Sequence, residues 1–250
     1  MAKSNLQGFN IDMQISTNYT LPKTQKNSFK ARHIANVIVP LKSGNERIQL
    51  YSLACSDKPF LKKMAKRINL RKLYPGLKDY DGFSNWKNLI VNAVSRIESQ
   101  ETILAVSNKR PCGIMTYSQT PNGLLLSYLV KWRTKPNVDT PFVGKALMRN
   151  LFQNAVDNKS NWIKLTPAGC EPRGKNCRPF YYHLGFKEVN DGFMLQEKTP
   201  FQRICAQLDN YFEYKPVKDT KDVKLNRILS LTFNDSLWEK FLNKLKGNKI

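Results

Sequence analysis

The chain has 250 residues, 41% of them apolar, and its 41 Lys and Arg outnumber 19 Asp and Glu for a formal net charge of +22. That length suits one large domain, or one domain with additions, against about 100–200 residues per domain. No apolar run reaches the roughly 18 residues of a membrane-spanning helix, and Met1-Ala2-Lys3-Ser4-Asn5 lacks the apolar stretch of a signal peptide, which excludes membrane insertion and predicts a cytoplasmic protein.

Residues 1–35 are expected to form an N-terminal arm, polar and weakly periodic over the first thirty. Residues 36–54 predict a hairpin, with Val37-Ile38-Val39 as one strand, Ser43-Gly44-Asn45 as the turn and Ile48 to Leu53 returning. Pro59 opens a basic helix through Ile68, ended by Tyr74-Pro75-Gly76. Ser84 suits the N-cap of a helix through Ile97, where Trp86, Leu89, Ile90, Ala93, Val94 and Ile97 recur at three- and four-residue spacing.

Three strands follow, Ile103 to Val106, Cys112 to Tyr117 and Leu124 to Thr134, and the short turns between them predict an antiparallel meander. A helix is expected from Pro141 to about Asn158. The strand Trp162 to Thr166, reached through that crossover, should lie parallel to its predecessor. A short aromatic helix, Pro179 to Leu184, and a strand, Phe193 to Lys198, close the main domain at 36–198. Residues 199–250 read as a helical extension, with apolar stripes over Phe201 to Phe212 and over Leu237 to Leu245 that suit docking in cis or a partner.

Five cysteines without a C-x-x-C pair predict reduced thiols and no zinc site. The positive excess attracts polyanions: coenzyme phosphates, nucleic acid, ribosomes or an acidic protein. One segment offers a more local anion site. Thr140 suits an N-cap and Pro141 the first helical position. The N–H groups of Phe142, Val143 and Gly144 then lack intrahelical partners, and Lys145 adds charge beside them. The same residues also describe an ordinary capped helix whose glycine packs on a sheet, and one glycine does not decide between the two.

The order of strand, small-residue turn, amphipathic helix, strand, aromatic helix and Leu184-Gly185-Phe186 resembles the cofactor half of the GCN5-related N-acetyltransferase (GNAT) family. Thr134-Lys135-Pro136 stands at the family's strand end. Asp139 to Gly144 fall on its glycine turn, where Gly144 matches the last glycine, Asp139 replaces Gln or Arg, and Phe142 replaces the first glycine. The resemblance implies an α/β fold of the α+β type, with a mostly antiparallel twisted mixed sheet, flanking helices and the helical extension. It implies an acyltransferase that uses acetyl-CoA. Trp132 and Thr134 would line the pantetheine arm, although Trp132 equally suits a core or edge aromatic. Thr140, Phe142, Val143, Gly144 and Lys145 would hold the phosphates. Tyr181, four residues before the glycine of Leu-Gly-Phe, would be the general acid, with Tyr182 as its alternative. The backbone at Leu165 or Thr166 would hold the deprotonating water.

His33, His183, Glu98 and Glu101 remain unassigned. The acceptor would be a primary amine on a small molecule or a protein. The charge supports a second possibility, a non-catalytic module on the same scaffold that binds RNA, a ribosome or another polyanion. A hybrid would modify an amine on a nucleic-acid partner that rests on the helix around Lys62 and the loop Arg173-Gly174-Lys175-Asn176.

Overall fold

The computed structural model describes residues 30–77, 82–167, 177–189, 192–195 and 201–229. The helix expected over 235–245, the loop at 173–176 and Cys170 lie outside them. None of the four described cysteines is in a disulfide. No helix of the described residues is long and apolar enough to cross a membrane.

Strands β1 (Ala31–Leu41) and β2 (Gly44–Ser52) form the hairpin, with Leu41 opposite Gly44. β1 starts inside the span expected as an arm, because Ala31, Ala35, Val37 and Val39 bury on the core. Helix α1 (Lys58–Arg67) places Leu61, Met64 and Ala65 on its inner face and lysines on the other. The four-residue α2 (Leu70–Leu73) follows, capped by the Asn69 side chain. Helix α3 (Phe83–Ser95) begins one residue before Ser84, with Gly82 as N-cap, and a 3-10 turn, Arg96–Glu98, carries it toward Ile97.

β3 (Glu101–Ser107), β4 (Arg110–Thr120) and β5 (Gly123–Lys131) make the antiparallel meander. Helix α4 (Val143–Asp157) crosses over to β6 (Trp162–Leu165), which pairs parallel with β5. Helix α5 (Arg178–His183) leads to the hairpin of β7 (Lys187–Val189) and β8 (Gly192–Leu195), and β8 pairs with β6.

The extension is not helical throughout. After α6 (Phe201–Asp209), strands β9 (Glu213–Pro216) and β10 (Asp222–Val223) both pair with β1, before α7 (Leu225–Ile228). They cover the edge that β2 leaves open on β1, an edge that would otherwise offer unpaired backbone groups to other chains. Their charged, proline-bearing sequence gives no alternation that would mark them as strands.

The sheet runs β10-β1-β2-β3-β4-β5-β6-β8-β7, with β9 also on β1. It is mixed and mostly antiparallel, and it carries a core on each face. Ile103, Ala105, Met115, Leu124 and Leu126 point to α4, α5 and α6. Leu104, Val106, Ile114 and Val130 point to α1, α2 and α3. Gly113 lets α4 approach, since a β-carbon there would come within 2.6 Å of Val143 and 3.2 Å of Leu147. That contact presses the first turn of α4 onto β4.

Candidate active site

β5 and β6 pair only from Gly123 opposite Trp162 to Leu126 opposite Leu165. Tyr117 of β4 faces Leu126 while Thr116 faces Tyr128, so Ser127 is an extra residue in β5. Such a bulge bends its strand and increases the local twist. Beyond it β5 stays on β4 as far as Lys131, whereas β6 ends at Leu165. The two strands part at Ser127, and among the described residues no strand covers that edge of β5 from Ser127 onward. Gln100 supports the bulge by donating from Nε2 to Ser127 Oγ at 2.8 Å.

Because α4 crosses between two parallel strands, its N-terminus lies at their C-terminal end, where they separate. The connecting loop is tied down first. Trp132 N–H still bonds Cys112 O at 2.9 Å, and Arg110 donates to Thr134 O at 3.1 Å. Arg133 forks onto Asp139 with bonds of 2.9 and 3.0 Å. That hydrogen-bonded pairing holds the Asp139 carboxyl below its ordinary range, so the acid on the glycine turn arrives already neutralised. Thr140 is buried and its Oγ1 has no partner among the described residues.

The helix starts later than the residue types predict. Thr140 is not the cap and Pro141 is not the first helical residue. The N-cap is Phe142, in the left-handed region at φ 59° and ψ 12° with no side-chain cap. A bulky residue there costs about 1–2 kcal/mol. Its ring lies against Tyr211 at 5.5 Å and Phe212 at 6.5 Å, contacts with the extension that sequence spacing does not reveal. The ring therefore turns toward the end of α6. The first intrahelical bond runs from Ala146 N to Phe142 O, which leaves the N–H groups of Val143, Gly144 and Lys145 without acceptors in the helix.

Lys145 Nζ sits 3.1 Å from the Tyr211 ring centre and 5.3 Å from that of Phe142, a cation over two aromatic faces. A β-carbon on Gly144 would meet only Phe180, at 3.5 Å, which is ordinary contact. Packing alone does not require a glycine there.

Phe180 also brings α5 to the start of α4, and Tyr181 follows it. Tyr181 is 8% exposed and packs edge-on against Phe180 at 5.2 Å and Phe186 at 5.8 Å. The Leu-Gly-Phe element is a helix stop. Gly185 takes φ 82°, its N–H bonds Tyr182 O, and Phe186 N–H bonds Tyr181 O, the paired bonds of a Schellman cap with its apolar contact. Tyr182 points outward and donates to Glu188 Oε2 at 3.0 Å.

The remaining candidates spread apart. Trp132 is buried among the residues under α1, α2 and α3, with Nε1 unpartnered among the described residues, and Thr134 is buried. His183 is exposed. His33 stacks on Tyr51 at 5.0 Å, and burial lowers its ring's proton affinity. Glu98 pairs with Lys58. Glu101 lies cross-strand from Tyr117, and burial pushes its carboxyl upward against the pull of Arg32. No group of three or more His, Cys, Asp or Glu among the described residues could hold a metal ion. Ser127, Phe180 and Tyr211 escaped sequence reasoning: a bulge has no residue signature, and the two rings are set by tertiary contact.

No family model matches the chain, and no curated protein matches its sequence. Solved structures similar to it are acetyltransferases of the GNAT family. The PaiA N-acetyltransferase of Thermoplasma acidophilum, crystallised with coenzyme A, is 19% identical over 59% of this chain and 96% of its own, with a TM-score of 0.39. A GNAT-family acetyltransferase of Staphylococcus aureus Mu50 is 15% identical over 60% of this chain and 99% of its own, with a TM-score of 0.38. A GNAT-family enzyme of Elizabethkingia anophelis with acetyl-CoA bound is 16% identical over 42% of this chain and 63% of its own, with a TM-score of 0.32. Overlaps this slight assign no site residue here, so the chemistry rests on the parted strands and the start of α4.

Proposed function

We propose that the chain is an N-acetyltransferase that moves the acetyl group of acetyl-CoA to a primary amine by direct attack. The separation of β5 from β6 at the Ser127 bulge, with the start of α4 at the open end, carries this proposal. An amide-bearing pantetheine arm suits the uncovered edge of β5 from Ser127 to Lys131, where strand N–H and C=O groups stand ready for pairing. A diphosphate suits the N–H groups of Val143, Gly144 and Lys145, where the helix dipole favours anions. The absence of any packing demand for the glycine at Gly144 fits such a ligand. Lys145 can leave its aromatic seat for a phosphate. Trp132 and Thr134 act from beneath the loop, holding its course.

In the reaction the amine nitrogen bonds to the thioester carbonyl carbon and the C–S bond breaks. Water held at the backbone of Leu165 or Thr166 takes the amine proton, and Tyr181 protonates the departing thiolate. Alignment of the two reactants contributes as much as proton transfer. Titration of the full chain with acetyl-CoA by calorimetry, followed by an amine panel with labelled acetyl-CoA, tests the proposal. Saturable heat and label transfer are expected. The absence of any heat would sink it.

A further inference from the structure

The helical layer over one face of the sheet is charged very unevenly. Residues 58–77 and 82–97 contain nine basic and no acidic side chains, and the acids Asp79 and Asp81 fall between these stretches, outside the described residues. Three of the nine are engaged locally: Lys58 pairs with Glu98, Lys87 donates to the carbonyls of Lys66 and Ile68 at the end of α1, and Arg71 lies over the Phe83 ring at 5.9 Å. Lys62, Lys63, Lys66, Arg67, Arg71 and Lys72 are exposed, and among the described residues none of them has an ion pair. Elsewhere among the described residues Asp139 pairs with Arg133, Asp209 with Arg149, Glu188 with Arg178 and Glu213 with Lys215. α1 and α2 thus carry exposed positive charge that no described acid pairs with.

We propose that this α1–α2 face binds the phosphate backbone of a nucleic acid, independently of acetyl transfer. Lys62 and Lys66 are one turn apart, about 6 Å along the helix, and Arg71 and Lys72 continue the row beyond the Asn69 cap. The chemistry of the face selects among polyanions. A membrane surface calls for apolar side chains on the same face, and the exposed large hydrophobics of the described residues do not include any residue of α1 or α2. A protein interface core is depleted in lysine and enriched in aromatics, the reverse of this face. A phosphate backbone asks only for displaced counterions. Tyr74, just after α2, accepts the Arg133 N–H at 3.1 Å and lies under its guanidinium at 4.5 Å. A strand resting on α2 would therefore run beside the loop that opens α4.

Fluorescence anisotropy of the full chain with labelled oligonucleotides of about 20 residues, longer than a single-strand site of roughly 4–16 nucleotides, tests the assignment. RNA and DNA of one sequence are compared. With six contacts, log affinity should fall against log salt with a slope of roughly −4, and the variant Lys62→Glu/Lys63→Glu/Lys66→Glu should bring the slope to roughly −2 and weaken binding more than about tenfold. The equally charged control Lys159→Glu/Lys187→Glu/Lys218→Glu should bind within about threefold of the parent. Equal losses in both variants would assign the effect to net charge and overturn the proposal. So would failure to bind either oligonucleotide, or equal dependence on the α1 lysines for polyglutamate or phosphatidylserine vesicles. Acetyl-CoA calorimetry on the same variants should be unchanged, and its failure in every variant would remove the enzymatic proposal while leaving this one standing.

Discussion

Gly144 separates a structural role from a ligand role. A methyl there would meet ordinary contact with Phe180, and alanine is favoured over glycine within a helix by about 1 kcal/mol. Gly144→Ala should therefore keep or slightly raise the melting temperature while weakening acetyl-CoA binding in calorimetry, and an unchanged affinity would place the diphosphate elsewhere. Tyr181 tests the chemistry. Tyr181→Phe keeps the ring that packs on Phe186, so stability should hold while kcat falls about 10²-fold or more and the alkaline limb of the pH–rate profile disappears. Glu101 makes a prediction about stability instead. Burial raises its carboxyl, so the folded chain holds that proton to higher pH than the unfolded chain does. Its stabilising contribution is complete below the ordinary carboxylate range and is lost as pH rises through the folded value. Glu101→Gln should thus melt above the parent at neutral pH, with the gap closing as pH falls below the ordinary range. Residue types indicated where an anion could sit, but not that Phe142 would take a left-handed backbone or that Asp139 would be spent on Arg133.

At the scale of elements, α4 works through both of its ends. Its first turn rests on Gly113 and aims free N–H groups at the opening, while its later turns carry the extension. Arg149, 8% exposed, forks onto Asp209 at 2.9 and 3.0 Å and lies under Tyr214, which accepts from Asn150. Asp209→Ala strands that guanidinium and should cost roughly 1.5–3 kcal/mol in chemical denaturation. Adding Arg149→Met should recover part of the loss, because contacting pairs are not additive. The amphipathic α3, α4 and α6 were legible from apolar residues at helical spacing, and α1 from Pro59 at its start and Tyr74-Pro75-Gly76 beyond its end. Strands β9 and β10 were not, because what makes them strands is the vacant edge of β1, a partner far away in sequence.

At the scale of the molecule, the extension belongs to the fold. Phe201, Ile204, Cys205, Leu208 and Phe212 are buried in the same core as α4, and β9 closes the sheet edge. A chain ending before Phe201 should lose cooperative thermal unfolding and self-associate on size exclusion, through the uncovered face of α4 and the bare edge of β1. A sharp melt from that truncation would contradict the packing. The positive excess acts at this scale too, and the exposed basic row of α1 and α2 is one part of it.

The sequence by itself determined the order and type of most elements, the antiparallel meander, the parallel return to β6 and the sign of the surface field. Each follows from local periodicity, turn chemistry or composition, which act between near neighbours in the chain. The tertiary structure alone decided the bulge at Ser127, the parting of β5 from β6, the late start of α4, the seat of Lys145 on Tyr211 and the return of the extension to β1. Those depend on which distant segments meet, and the free energy of such contacts is written in no single stretch of residues.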